Sequence, residues 1–171
     1  MSLFEFPLRT TSEFRHRTLS HPWSVVFLPD SGILVTERSG RIRVVRNGRV
    51  DPTPIAGVPR VRTDGNGGLM DIALHPRFAE NRLVYFTYTK PVENGRGTPT
   101  LARGKLDGGA LTDVRDLIVP EAYEGNSGLN GRVVFGRDGM VYMSTGGNIA
   151  KVAQDPANLT RLSLRRKGVR Q

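Results

Sequence analysis

The residues that could do chemistry in this 171-residue chain are few and widely spaced. It has no cysteine, which excludes disulfides, thiolate nucleophiles and thiolate metal sites. Its histidines, His16, His21 and His75, are too scattered to form a metal-ligand spacing. The remaining candidate is the glycine-rich stretch of residues 65–78, where Asn66 and Asp71 place polar side chains as the chain leaves a turn. This stretch predicts a ligand-facing loop held by an apolar strand.

Several candidate residues have a structural interpretation beside the functional one. His21 and His75 each precede a proline, which favours turn or edge positions over catalytic ones. Asn66 fits a ligand contact and a turn former equally well. For Arg132 and Glu37 we expect structural ion pairs, with a binding role as the alternative.

The charge of the chain admits a nucleic-acid or other anionic partner. The formal net charge is +9, from 25 Lys and Arg against 16 Asp and Glu. Five arginines lie on one predicted hairpin: Arg38, Arg41, Arg43, Arg46 and Arg49. No aromatic residues alternate with them, as a stacking platform for bases would require. The distribution therefore favours a solvated strand face over nucleic-acid binding.

The sequence predicts no targeting signal and no membrane-spanning segment. The first residues lack the basic segment and apolar stretch of a secretory signal. No run approaches the roughly 18 apolar residues of a membrane-spanning helix. We therefore expect no contact with a membrane.

The elements that must position these residues are short antiparallel strands. Apolar and β-branched runs alternate with tight turns such as Asn47-Gly48, a pattern typical of hairpins. Phe27, Leu74 and Phe135 occupy equivalent places in three similar units. Units of about 40 to 50 residues with four strands each are typical of propeller blades. The sequence thus predicts an all-β chain containing about two and a half to three blades of a β-propeller.

We divide the chain into an N-terminal arm (1–18), a partial propeller (19–159) and a basic C-terminal tail (160–171). A closed propeller ring typically has four to eight blades. A shorter array would leave blade faces and edges open to water, which favours self-association. The sequence therefore predicts a truncated chain or one that needs partners.

Separate motifs in this order resemble one family. They are His21-Pro22-Trp23, Phe27 to Asp30, Val35 to Arg38, residues 65–78, Asn81 to Tyr85, Gly131 to Phe135 and Ala153 to Pro156. Together they resemble the soluble glucose/sorbosone dehydrogenases, or aldose sugar dehydrogenases. The resemblance implies a six-bladed propeller, periplasmic or secreted, which oxidises the anomeric carbon of an aldose. It further implies that pyrroloquinoline quinone (PQQ) accepts the hydride and that calcium assists the binding of PQQ.

The resemblance also indicates which positions to compare. Histidine suits the general base of such a reaction, because its pKa lies near neutrality. The family has its base four residues before the arginine that is Arg132 here, and that position holds Gly128. Where the family commonly places a glutamine against the cofactor, this chain has Asn66, which is one methylene shorter. We therefore predict Asn66 and Arg132 as cofactor contacts, no catalytic residue and no metal ligand.

Two functions follow from the sequence. The first is a PQQ-dependent sugar dehydrogenase that is incomplete or inactive as this chain. The second is a non-catalytic propeller module that binds a sugar or a protein. Gly128, and Gly147 where the family often has an aspartate, favour the second. Whether the chain is an enzyme by itself is left open.

Overall fold

The structure is a computed structural model that describes residues 19–120 and 131–146, with the backbone of residues 164–167. These residues form three antiparallel sheets. The first contains β1 Pro22–Phe27, β2 Ile33–Glu37, β3 Arg41–Arg46 and β4 Arg49–Val50. The second contains β5 Leu69–Leu74, β6 Leu83–Pro91, β7 Gly97–Asp107 and β8 Ala110–Ile118. The third contains β9 Gly131–Phe135, β10 Met140–Thr145 and β11 Leu164–Lys167. A one-turn helix, Phe78–Asn81, and a 3-10 turn, Glu93–Gly95, lie between strands.

Each sheet is an up-and-down meander in which neighbours along the chain pair with each other. The first strands of consecutive sheets contact each other, β1 with β5 and β5 with β9. This is the arrangement of consecutive propeller blades around their inner strands. The β-propeller prediction is confirmed, with two four-stranded blades and three strands of a third.

Tight turns set the registers of these hairpins. Asn47 and Gly48 join β3 to β4 with φ angles of 51° and 73°. Positive φ at both central residues matches the twist of a two-residue hairpin, and Asn-Gly adopts it with least strain. Arg46 consequently pairs with Arg49 across the turn, as the sequence predicts for a hairpin.

The core forms between the blades. Along β6, Phe86 packs into the cluster between the first and second sheets, while Tyr85 packs into the cluster toward the third. Because both faces of the second sheet are covered, its strands are apolar at successive positions rather than alternate ones. On the outer faces of the array, the exposed fraction is 70% for Phe27 on β1 and 61% for Val134 on β9.

Parts of the predicted domain division lie outside the described residues. This applies to the N-terminal arm, to Gly128 and to most of the tail. Within the segment predicted as a tail, residues 164–167 form β11, which pairs antiparallel with β10. The division into arm, partial propeller and tail stays a prediction.

Candidate functional site

The glycine-rich loop lies at one edge of the blades. Strand direction alternates within each sheet, so the loop before β5 shares its edge with the β2–β3 turn and the β6–β7 hairpin. The start of β9, including Arg132, lies at this edge as well, because β9 is the first strand of the next blade. The predicted site residues Asn66 and Arg132 are therefore brought to the same edge of the propeller.

Arg38, the first residue of the turn between β2 and β3, holds the glycine-rich loop. Its Nε donates to the carbonyl oxygen of Gly67 at 2.9 Å, and its Nη2 donates to that of Thr63 at 2.5 Å and to that of Gly65. Its own carbonyl accepts the N–H of Leu69 at 3.1 Å. One blade thus fixes the loop that begins the next.

The close approach of these backbones explains the glycines. Gly68 has a φ of 144°, and a Cβ there would lie 2.5 Å from the carbonyl oxygen of Arg38. A Cβ at Gly67 would lie 2.6 Å from the carbonyl oxygen of Arg62. Thr89 on β6 closes the loop, since its N–H donates to Gly68 O at 2.8 Å and its hydroxyl accepts the Gly68 N–H at 3.2 Å. The loop is a rigid support rather than a loose connection.

Asn66 lies at the exposed tip of this support. Its side chain forms no hydrogen bond with any other residue in the two described stretches, 19–120 and 131–146. Its amide can both donate and accept, so it is free to meet a ligand at this edge.

Asp71 links three blades through a buried carboxylate. Only 6% of the residue is exposed. Its Oδ1 accepts the hydroxyl of Ser24 on β1 at 2.5 Å, and its Oδ2 accepts the N–H of Val133 on β9 at 2.8 Å. Nearby, the hydroxyl of Thr87 accepts the Asp71 N–H and donates to the carbonyl of Gly131, both at 3.0 Å. A carboxylate on the second blade therefore ties the first and third blades to it.

Arg132 extends from this link into solvent. Its Nη1 lies 3.7 Å from Asp71 Oδ1, and 73% of its side chain is exposed. The predicted ion pair is present, but it is long and leaves most of the guanidinium donors available. Arg132 can thus bind an anionic or carbonyl-bearing ligand while Asp71 sets the position of its strand.

The inter-blade role of Ser24, Asp71 and Arg132 was not predicted, although the repeat contains a signal for it. Each lies three residues before one of the equivalent apolar positions Phe27, Leu74 and Phe135. They therefore occupy the same place on three inner strands. Polar residues at equivalent positions of consecutive blades are candidates for contact with each other. A comparison of these positions in the repeat could therefore have predicted the contacts among Ser24, Asp71 and Arg132. No sequence pattern of this kind indicates the hydrogen bonds from Arg38 to the glycine-rich loop.

His75 makes the contacts of a turn residue. Its Nδ1 accepts the backbone N–H of Arg77 at 3.0 Å and lies 2.9 Å from Asn81 Nδ2. The ring packs against Tyr85 and Phe135. Burial, reinforced by the charge of Arg77, lowers the pKa of His75. The turn interpretation of His75 thus agrees with its contacts, while His16 lies outside the described residues.

The arginine-rich hairpin uses most of its charge within the chain. Buried Glu37 pairs with Arg41 at 2.5 Å and lies 3.8 Å from Arg43. Arg46 bonds Asp30 at 2.8 Å, and that hydrogen bond lowers the pKa of Asp30. The ion pair expected for Glu37 is therefore present. That the chain does not bind nucleic acid stays a prediction.

Within residues 19–120 and 131–146, no three His, Asp or Glu side chains are grouped to hold a metal ion. No helix in this part of the chain is long and apolar enough to cross a membrane.

Comparison with known proteins decides the family. Residues 19–164 match the glucose/sorbosone dehydrogenase family. The chain belongs to this family. It is 34% identical over 160 residues to aldose sugar dehydrogenase YliI of Escherichia coli K12, covering 90% of the chain and 43% of that protein.

Solved structures agree with the assignment. The crystal structure of soluble aldose sugar dehydrogenase from E. coli in the apo-form is similar with a TM-score of 0.77 and 32% identity, over 84% of this chain and 43% of that one. The PQQ-bound aldose sugar dehydrogenase from Streptomyces coelicolor is similar with a TM-score of 0.71 and 29% identity, over 86% and 44% of the two chains. The predicted resemblance is thus confirmed. The chain spans less than half the length of these relatives.

Proposed function

We propose that this chain supplies one part of the cofactor-binding edge of a PQQ-dependent aldose dehydrogenase. One observation supports this proposal most directly. This chain, a member of the glucose/sorbosone dehydrogenase family, presents Asn66 and Arg132 at the same edge of adjoining blades, and both side chains are exposed with hydrogen-bond donors available. A PQQ-bound relative from S. coelicolor supports the choice of cofactor. When bound, PQQ supplies the electron sink for oxidation of the sugar.

The residues present fit the chemistry of this cofactor. PQQ carries quinone oxygens and carboxylates, all of which accept hydrogen bonds. The Asn66 amide would donate to an oxygen, and the Arg132 guanidinium would bind a carboxylate or polarise a carbonyl. Arg38 and Asp71 would act indirectly, because they hold the loop and the strand that carry these two side chains.

Proton removal is the step that this chain does not provide. Gly128, at the family's base position, has no side chain that could accept a proton, and it lies outside the described residues. We therefore propose that the chain binds PQQ weakly and does not oxidise sugar by itself. Calcium binding and a periplasmic or secreted location belong to the same proposal, and both rest on the family.

The test is a pair of measurements on the purified chain. PQQ binding is followed by its visible absorption with calcium present, and aldose oxidation is followed with an artificial electron acceptor. We expect binding that weakens in Asn66→Ala and Arg132→Ala, without turnover. Turnover would refute the inference from Gly128. Binding that is unchanged in both variants would refute the assignment of the two contacts.

A non-catalytic module is the second candidate, and the glycine at the base position favours it. It predicts that the chain binds neutral sugars in the absence of PQQ. Calorimetric titration with glucose and other aldoses would detect this. Saturable sugar binding without any affinity for PQQ would select the module over the dehydrogenase part.

A further inference from the structure

A concave site lies at the same edge, beside the glycine-rich loop. It has a volume of about 380 Å³, within the range of small-molecule sites. One wall is the chain before the loop and the other is the β6–β7 hairpin. Its lining includes Arg60, Arg62, Thr63, Asp64, Val92 and Arg96. Asn66 is not among the lining residues, so this cavity is separate from the predicted cofactor contact.

The walls of the cavity are fixed to each other. Arg62 donates its backbone N–H to the carbonyl of Thr89 at 2.9 Å, and Val92 donates its N–H to the carbonyl of Arg96 at 3.0 Å. On the other side, Arg38 binds the carbonyl of Thr63. The cavity is therefore largely formed before any ligand binds, which lowers the entropic cost of binding.

The charge of the lining is positive. Three arginines face one carboxylate, because Asp64 is the single acidic residue of the lining. Asp64 pairs with Arg62, whose Nε lies 3.3 Å from the carboxylate. This pair leaves the charges of Arg60 and Arg96 uncompensated within the cavity.

The guanidiniums of Arg60 and Arg96 have no acceptor within the described part of the chain. Neither guanidinium group takes part in a hydrogen bond or an ion pair in this part of the chain. The Nε of Arg96 is buried without a hydrogen-bond partner. Buried polar atoms in folded proteins are nearly always hydrogen-bonded. A ligand that carries acceptors would therefore satisfy donors that the protein leaves unused.

We propose that this cavity binds the carboxylate of a sugar acid of monosaccharide size. A planar carboxylate matches the fork of a guanidinium better than a neutral hydroxyl does. Val92 and Pro91 offer an apolar surface to the carbon face of the sugar, and the Thr63 hydroxyl can bond its hydroxyl groups. The choice of a sugar acid rests on the proposed function, since aldose oxidation gives a lactone that water opens to an aldonate. A uronic acid would present the same carboxylate from the other end of the molecule.

The experiment titrates the purified chain at low ionic strength with sodium gluconate and sodium glucuronate. Calorimetry gives the affinity, and NMR follows the amides of Gly95 and Arg96. Saturable binding of either acid is expected, and the stronger of the two identifies the aldonate or the uronate source. Because hydrogen bonds to charged groups contribute about 1.5–3 kcal/mol, Arg96→Ala should weaken binding about tenfold or more. Arg60→Ala should weaken it less, since Arg60 is exposed.

The matched control is Arg49→Ala, which removes an exposed arginine on another hairpin and should leave the affinity unchanged. Unfolding curves of all variants show whether the fold is retained, and Arg60→Ala tests the site even if Arg96→Ala does not fold. The proposal is wrong if neither acid binds, if both cavity variants bind like wild type, or if glucose or inorganic phosphate binds as tightly. None of these outcomes involves PQQ, so failure here is distinguishable from failure of the proposed cofactor contacts.

Discussion

Replacing Asp71 with alanine should uncouple the blades. The substitution removes the acceptor for Ser24 Oγ at 2.5 Å and for the Val133 N–H at 2.8 Å. It also removes the carboxylate 3.7 Å from Arg132, a contact that contributes little because the arginine is mostly exposed. The main cost is therefore the loss of two hydrogen bonds to a buried charge, with one backbone donor left unsatisfied.

The size of this effect follows from typical values. Hydrogen bonds to charged groups contribute about 1.5–3 kcal/mol each, so the loss expected for two of them is about 3–6 kcal/mol. Domains have free energies of unfolding of about 5–15 kcal/mol, so the loss is a large share. With a urea slope of about 2 kcal/mol per M, the midpoint should fall by roughly 2 M.

The assay is urea unfolding of the wild type and variant, followed by circular dichroism. Hydrogen exchange adds a local measurement, since the Val133 amide should lose protection before amides within the second blade. Asp116→Ala is the matched control, because Asp116 also accepts two hydrogen bonds, from Tyr88 at 2.9 Å and Lys90 at 2.7 Å, but within one sheet. A cost for Asp71→Ala below about 1.5 kcal/mol, or no greater than that of Asp116→Ala, would show that the carboxylate does not tie the blades together.

Three further predictions use other contacts. The pKa of His75 is lowered from its usual 6.5, so the neutral side chain contributes fully to stability above about pH 6.5, and this contribution is lost as the pH falls below 6.5. In urea unfolding, the stability advantage of wild type over His75→Gln should therefore shrink between about pH 7.5 and pH 5. A difference that stays constant over this range would contradict the prediction. Gly68→Ala should cost about 3 kcal/mol or more in thermal unfolding, against about 1 kcal/mol for Gly48→Ala, because both have positive φ but only Gly68 lies against a backbone carbonyl. Phe27→Ser should reduce self-association measured by light scattering, since this ring is 70% exposed; wild type that is monomeric at all concentrations would exclude the effect.

The blade architecture was predictable because its signals are local. Turn pairs such as Asn47-Gly48 fix hairpins over a few residues, and the repeat places Phe27, Leu74 and Phe135 on equivalent strands. Each of these signals depends on backbone preferences that neighbouring blades do not change. The propeller fold therefore followed from the sequence without knowledge of how the blades pack.

The polar contacts between blades were not predictable to the same extent. Ser24 and Asp71 meet only because the facing sides of two inner strands bring a hydroxyl and a carboxylate to one height. Arg38 reaches the glycine-rich loop from another blade, and nothing in its local sequence distinguishes it from Arg41 or Arg43 on the same hairpin. Contacts of this kind depend on packing between distant segments, which a pattern of residue types does not specify.

The contacts that hold the glycine-rich loop would support both proposed sites. Arg38 and Thr89 hold its backbone from opposite sides, so the tip with Asn66 and the wall with Thr63 keep fixed positions relative to each other. A ligand in the cavity would therefore contact the same rigid support that presents the predicted cofactor contact. Loosening the Arg38 clamp should disturb both sites together, whereas removing Arg96 should disturb the cavity alone. PQQ and gluconate binding would be measured in Arg38→Ala and Arg96→Ala. The comparison distinguishes a residue that positions the loop for both ligands from a residue that contacts only the ligand in the cavity.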